Sequence, residues 1–234
     1  MAKLLVVTGG SRGIGKAILE RFAASGFDVC TCSRSKDDLG KVSRELSEQY
    51  GISAHYFVAD MSVKEQVKAF TSFVTSLKRP VDVLVNNAGY FLSGQVIDEP
   101  EGTLEAMIQG NLYSAYYTTR GLAPGMRAAG AGHIFNICSI ASIKAYPNGA
   151  SYAISKHAML GLSKVLREEL KPYGVRVTAV LPGAVLTDSW KDAGLPEERF
   201  ITVQDVAEAV WSAHLLSPRS VVEEILIRPQ LGDI

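Results

Sequence analysis

The chain has 234 residues, 47% hydrophobic and 21% charged, enough to bury a core within one α/β unit. Lys plus Arg and Asp plus Glu each number 24, for a formal net charge of zero. That balance leaves no basic excess for nucleic acid or an anionic membrane. No apolar run approaches the roughly 18 residues of a membrane span.

The elements follow in order. Leu4 to Val7 reads as a buried strand, and the run stops at Gly9-Gly10, too early for a signal peptide. Ile14, Ala17, Ile18 and Phe22 recur at helical spacing. Asp28 to Cys32 is a second strand, on which Cys30 and Cys32 share one face as small core residues. Leu39, Val42 and Leu46 mark the next helix, and Ala54 to Ala59 a third strand. Val63, Val67, Phe70, Val74 and Leu77 stripe an amphipathic helix, which Ser62-Val63-Lys64-Glu65 is expected to open as a capping box. Val81 to Val85 is strand four, and Leu104, Ile108, Leu112 and Ala115 stripe one long helix. Ile134 to Ile137 is strand five, Tyr152 to Leu170 a helix, Val175 to Val180 strand six. Val203, Val206, Ala207 and Val210 mark the last helix, and Val221 to Ile227 strand seven.

Strict strand–helix alternation with continuous apolar strands predicts a doubly wound α/β fold. Its sheet is expected to be parallel and seven-stranded, with helices on both faces. No linker or composition break divides the chain, so a single domain over 1–234 is expected. The least regular stretch, 184–200, reads as a loop beside a site. Three sparse cysteines (Cys30, Cys32, Cys138) suggest a reducing, cytoplasmic location without disulfides. The four histidines (His55, His133, His157, His214) lack ligand spacing, and no metal is assigned.

Gly9-Gly10-Ser11-Arg12-Gly13-Ile14-Gly15 lies between the first strand and the first helix. Glycines there permit a tight turn and close backbone approach to a pyrophosphate, and the helix N-terminus offers N–H groups to it. The spacing, with Thr8, is Thr-Gly-x-x-x-Gly-x-Gly. With it the whole chain resembles a short-chain dehydrogenase/reductase of the compact type, and so a Rossmann-fold oxidoreductase.

NAD enzymes usually place an acid at the end of strand two. Here Cys32-Ser33-Arg34 stands there. Arg34 offers a planar fork to a 2′-phosphate, Ser33 a hydroxyl, and Arg12 a second cation from the glycine loop. NADP(H) is therefore the expected cofactor, and both arginines match phosphate-binding positions of NADP-preferring relatives. The resemblance implies that Asp60, with Met61, caps the adenine edge; Asp60 could equally serve the start of the next helix. Asn86-Asn87-Ala88-Gly89 matches the turn that lines the adenosine ribose. Pro182-Gly183-Ala184-Val185-Leu186-Thr187 matches the segment around the nicotinamide, with Val185 and Thr187 holding the carboxamide and a diphosphate oxygen.

Tyr152 and Lys156, at i and i+4, share one helix face. A phenol titrates near about 10, and a neighbouring ammonium is expected to lower it toward useful acid/base range. Ser139 stands thirteen residues earlier, at a strand end where doubly wound folds bind ligands. The resemblance implies that Ser139 holds the substrate oxygen, with Ser142 a less favoured substitute and Cys138 where relatives often carry a first serine. It implies that Asn111 completes the catalytic tetrad, and that dimers or tetramers form through the Tyr152 helix and the one before it. Ala153, Met159, Leu160 and Leu162 could furnish that face, or core.

The expected substrate is a small carbonyl or alcohol. The C-terminal 217–234 segment lacks the ending of fatty-acid-synthesis reductases and looks more like that of sepiapterin-reductase-type members. A carboxylate such as Asp233, or one from the 184–200 loop, could bind a pterin's guanidine-like edge. Tyr90, Phe91, Leu92, Tyr146 and Trp190 suggest an aromatic pocket or ordinary packing. The alternatives are a 3-oxoacyl-carrier-protein reductase or 3-hydroxy acid dehydrogenase, and, of another class, a non-catalytic NADP-sensing regulator. A sugar-nucleotide epimerase also uses Tyr-x-x-x-Lys, but this chain has no room for its separate substrate region.

Overall fold

The computed structural model describes residues 2–190 and 194–234. Seven parallel strands form one sheet: β1 (Leu4–Thr8), β2 (Asp28–Ser33), β3 (Ala54–Val58), β4 (Val83–Asn86), β5 (Gly132–Ile137), β6 (Val175–Pro182) and β7 (Glu224–Ile227). Their order is β3-β2-β1-β4-β5-β6-β7. The order reverses direction between β1 and β4, so the crevice above that pair is the topological switch point where such sheets bind ligands.

Alternate strand residues feed two cores, as the period of two requires. Leu5, Val7, Val83, Val85, Phe135 and Val180 face helices α1 (Gly13–Ala23), α2 (Lys36–Tyr50) and α7 (Val203–Leu215). Leu4, Val6, Leu84, Ile134 and Val177, with Cys30 and Cys32, face α3 (Lys64–Ser76) and α5 (Ser114–Ala129), and Leu170 at the end of α6 (Ala150–Leu170) joins them. The predicted sharing of a face by the two cysteines therefore holds. Met159 and Leu160 of α6 pack inward against Ala179 and Leu181 of β6, and Ala153 is buried too. These residues are core, whereas Ile154 and Val165 of the same helix are exposed.

Three local expectations are corrected. The capping box at Ser62 does not form: Val63 is the N-cap of α3 and makes no side-chain cap bond. Ser62 instead donates from its backbone N–H and its hydroxyl to Asp60 Oδ1, at 2.9 and 2.7 Å. That local turn competes with capping, as short polar side chains do. The single long helix is interrupted: α4 (Thr103–Met107) runs into a π-helical turn, Ile108–Tyr113, before α5. The last strand is only four residues long, starting at Glu224 rather than Val221. Among the described residues no helix is long and apolar enough to cross a membrane.

Candidate active site

A cleft of about 1730 Å³ runs along the carboxyl ends of the strands. At one end the glycine loop and the turn after β4 are locked together. Thr8 Oγ1 accepts the N–H groups of Asn87 and Ala88, each at 3.0 Å. Asn87 Nδ2 donates to the carbonyls of Thr8 and Gly9, each at 3.0 Å. Gly9 has φ +71°, which a side chain rarely adopts. A Cβ on Gly15 would lie 2.4 Å from the Gly9 carbonyl and 2.6 Å from Asn87 Nδ2. Gly15 thus lets the first turn of α1 seat against the loop; it does not itself line the cleft.

Ser11, Arg12, Gly13 and Ile14 line this end, with Ser33, Arg34, Asp60 and Met61 beside them. Arg12 is the N-cap of α1 without a side-chain cap bond, so among the described residues no side chain caps the first-turn N–H groups. Its guanidinium pairs with Asp188 at 2.8 Å, across the cleft, with both groups exposed. Asp60 accepts from Ser62 before α3, and it also lines the cleft. Burial raises its pKa, but the bonds from Ser62 win and hold it below the usual carboxylate value.

At the other end stand Ser139, Tyr152 and Lys156, on the turn after β5 and the first turns of α6. The Tyr152 phenol shares the cleft with Ser139, whose hydroxyl favours the ionised form of the phenol. Ser139 Oγ also accepts the Ala141 N–H at 3.1 Å, and Ser142 Oγ accepts the Ser139 N–H. Ser142 therefore braces the turn and lies outside the cleft lining. Lys156, almost fully buried, donates from Nζ to the Ile137 carbonyl at 2.9 Å. Its Nζ sits 5.7 Å from the Tyr152 ring centroid.

The predicted lowering of the phenol's pKa is not found. Burial pushes Tyr152 above the ordinary tyrosine value, and the Ser139 hydroxyl offsets this only in part. Burial likewise lowers the Lys156 ammonium, which is the ionised form there and pays for desolvation. The resting pair is a neutral phenol beside a desolvated lysine side chain. Cys138 packs toward Ser163 and burial pushes its thiol up, leaving it a small core group.

Asn111 lies in the π turn behind Gly89. Its Oδ1 accepts the Tyr90 N–H at 2.8 Å, and Nδ2 donates to the Tyr90 carbonyl and to Ser155 Oγ, at 3.1 and 2.9 Å. A Cβ on Gly89 would sit 2.7 Å from Asn111 Oδ1 and 3.8 Å from Lys156 Nζ, so both polar groups face one small space. Ala88, Gly89, Pro182, Gly183, Val185 and Thr187 complete the lining between the two ends.

Of the five aromatic and apolar candidates, Tyr90, Phe91, Tyr146 and Trp190 line the cleft. Leu92 does not, and is exposed. The Phe91 ring meets the Tyr152 ring edge-on, with centroids 5.1 Å apart. Burial, with a smaller contribution from Tyr152, pushes the Tyr146 phenol up to about 12. Asp233 also reaches the cleft, but its carboxylate is already held by Arg228 and Lys144. Residues 191–193 of the predicted loop lie outside the described residues.

Sequence patterns gave no sign of several contacts. Glu99, far from any motif, accepts the hydroxyl of Ser151, next to Tyr152. Ser155 anchors Asn111 from the helix that carries Tyr152. The Asn86–Asn136–Ser163 chain crosses beneath the site at 2.8 and 2.9 Å. A doubled polar residue inside apolar strands was the available signal.

The family model described as short chain dehydrogenase matches residues 3–198. A sepiapterin reductase from Chlorobaculum tepidum is 34% identical, covering 100% of this chain and 99% of that protein. An uncharacterized oxidoreductase from Staphylococcus saprophyticus is 32% identical, covering 97% of each. An alcohol dehydrogenase from Thermococcus sibiricus, solved in complex with 5-hydroxy-NADP, superposes with TM-score 0.92 at 30% identity. It covers 100% of this chain and 99% of its own. The L-sorbose reductase of Gluconobacter frateurii, solved with NADPH and L-sorbose, gives TM-score 0.90 at 28% identity, covering 97% and 95%. This chain belongs to the short-chain dehydrogenase/reductase family. It is an oxidoreductase of that family, with the Rossmann-like fold.

Proposed function

We propose that the protein is an NADP(H)-dependent carbonyl reductase, with Tyr152 as general acid in reduction and general base in reverse. One observation carries the reading: Tyr152, Ser139 and Lys156 meet in the same cleft as the uncapped end of α1. The residues fit the dinucleotide. The N-terminus of α1 and the Gly9–Gly13 turn suit a diphosphate, and Arg34 and Ser33 suit a 2′-phosphate, with no acid at the end of β2 to repel it. Arg12 reaches that phosphate by leaving Asp188. NADPH, when bound, supplies the hydride.

The rest is the work of this chain's side chains. Ser139 Oγ, fixed by the Ala141 N–H, orients the carbonyl oxygen. Tyr152, kept neutral by burial, gives its proton to that oxygen. Lys156 then faces the phenolate it leaves, and the Asn111–Lys156 space behind Gly89 gives the proton a way back. The substrate class we favour is a planar or vicinal dicarbonyl, sepiapterin included. The full-length likeness to a sepiapterin reductase and the rings of Phe91, Tyr146 and Trp190 support it.

A non-catalytic NADP sensor is disfavoured because a binder has no use for the acid/base pair. The test is loss of nicotinamide absorbance with sepiapterin, diketones or quinones, run with NADPH and NADH side by side. Consumption of NADPH in preference to NADH is expected. A folded protein that consumes neither with any of these carbonyls overturns the reading.

A further inference from the structure

The end of the chain is built back over the cleft. Pro229 is buried, and a Cβ on Gly183 would lie only 2.9 Å from its ring. Gly232, at φ +86°, donates its N–H to the Pro229 carbonyl at 2.9 Å and turns the tail inward. The tail then brings Asp233 and Ile234 to the cleft lining, opposite Lys144 and Tyr146 of the loop that follows Ser139.

Asp233 joins the two walls. Arg228, just past β7, donates from Nε to Oδ1 at 2.9 Å and from Nη2 to Oδ2 at 2.6 Å, a bidentate fork. Lys144 donates to the same Oδ2 at 3.1 Å. Asp233 is the least exposed of the three, at 26% against 44% and 58%. The Arg228 hydrogen bonds and then Lys144 hold its carboxyl below the usual aspartate value, so it stays charged at working pH. A bidentate pair within a three-charge network is the case in which surface ion pairs do hold structure. Among the described residues it is the side-chain hydrogen bond that ties the 143–148 loop to the tail.

We propose that Asp233 is a latch: it locks residues 229–234 against the Lys144 loop as a wall of the substrate pocket, and so sets how tightly the carbonyl substrate is held. This differs from direct recognition of a pterin edge by Asp233, because both of its oxygens already accept bonds from this chain's own cations. The carbonyl-reductase reading underlies the substrate-affinity part of the proposal. The latch itself stands on the geometry alone.

The test uses the full chain and Asp233→Asn, which keeps size and removes charge. Hydrogen–deuterium exchange of residues 143–149 is expected to rise in the variant, although the substitution is in the tail. KM for sepiapterin and for 1-phenyl-1,2-propanedione should rise together by fivefold or more, with NADPH Kd within twofold. Lys144→Gln should reproduce the effect, and the double variant should be no worse than Asp233→Asn alone. Unchanged exchange at 143–149 overturns the latch. Raised exchange with unchanged KM overturns the role in substrate affinity, and loss confined to sepiapterin replaces that role with direct contact. If the parent chain reduces none of these carbonyls, the reading under Proposed function fails, and the exchange result still decides the latch.

Discussion

The two halves of the cleft are made of different materials. The half over β1 to β4 is backbone: short turns without room for a Cβ, locked by Thr8 and Asn87 through partly buried hydrogen bonds. The half beyond β5 is side chain: Phe91, Tyr146, Trp190 and a tail held by exposed charges. Backbone geometry can be shared by every protein that binds the same dinucleotide. Side-chain walls can change one residue at a time without disturbing the sheet. The contrast explains why the cleft's first half announces its ligand and its second half conceals it.

Substitutions on each half should separate backbone geometry from side-chain chemistry. Tyr152→Phe stands on the boundary and should cost most, about 10²- to 10⁴-fold in kcat for carbonyl reduction. Its NADPH affinity and Tm should stay close to those of the parent, measured by fluorescence titration and calorimetry. Arg34→Gln removes a charge-assisted contact on the backbone half, worth about 1.5–3 kcal/mol. NADPH binding should weaken about tenfold to hundredfold while NADH binding is unchanged; equal loss for both would refute the 2′-phosphate assignment. Gly15→Ala drives a Cβ into the Gly9 carbonyl, and overpacking of this kind costs about 1–3 kcal/mol. Both cofactors should weaken alike and Tm should drop, which separates turn geometry from charge.

On the substrate half the effects are smaller. Phe91→Leu loses an edge contact worth about 0.5–1.5 kcal/mol, so KM for the carbonyl should rise a few-fold with cofactor binding untouched. The pH profile tests the boundary itself. In the proposed mechanism reduction requires the protonated phenol, and burial holds Tyr152 above its ordinary value. The rate should be flat through neutrality and fall only as pH rises through that raised value; oxidation of the alcohol should rise with pH over the same range. Burial lowers the Lys156 pKa, so its ammonium loses its charge at a lower pH than a free lysine does. A limb near neutrality in stopped-flow kcat would mean that the phenol is not the titrating acid.

Much of this was legible in advance, for reasons that differ by residue. Continuous apolar runs such as Leu4 to Val7 can only be strands covered on both faces, and the sheet follows from them. The glycine loop is readable because close approach to an anion leaves few residue types to choose from. Tyr152 and Lys156 are readable because a helix fixes their separation. The capping box at Ser62 failed because a nearer acceptor, Asp60 Oδ1, took its donors. The phenol's pKa direction failed because spacing reports proximity and not desolvation, and burial raises the phenol with only Ser139 opposing it. The Lys144–Asp233–Arg228 network was invisible because it joins residues 89 apart and 5 apart through tertiary folding alone.

The π turn at Ile108–Tyr113 has its own consequence. A π turn is an α-helix carrying one surplus residue. The surplus swings the helix face by about 100°, so Asn111 can meet Tyr90 and Ser155 while Leu122 and Met126 further along still meet the sheet. Deleting one residue there would heal the spiral and keep the core, yet point the amide elsewhere. A regular helix would be the better spring and the worse tool.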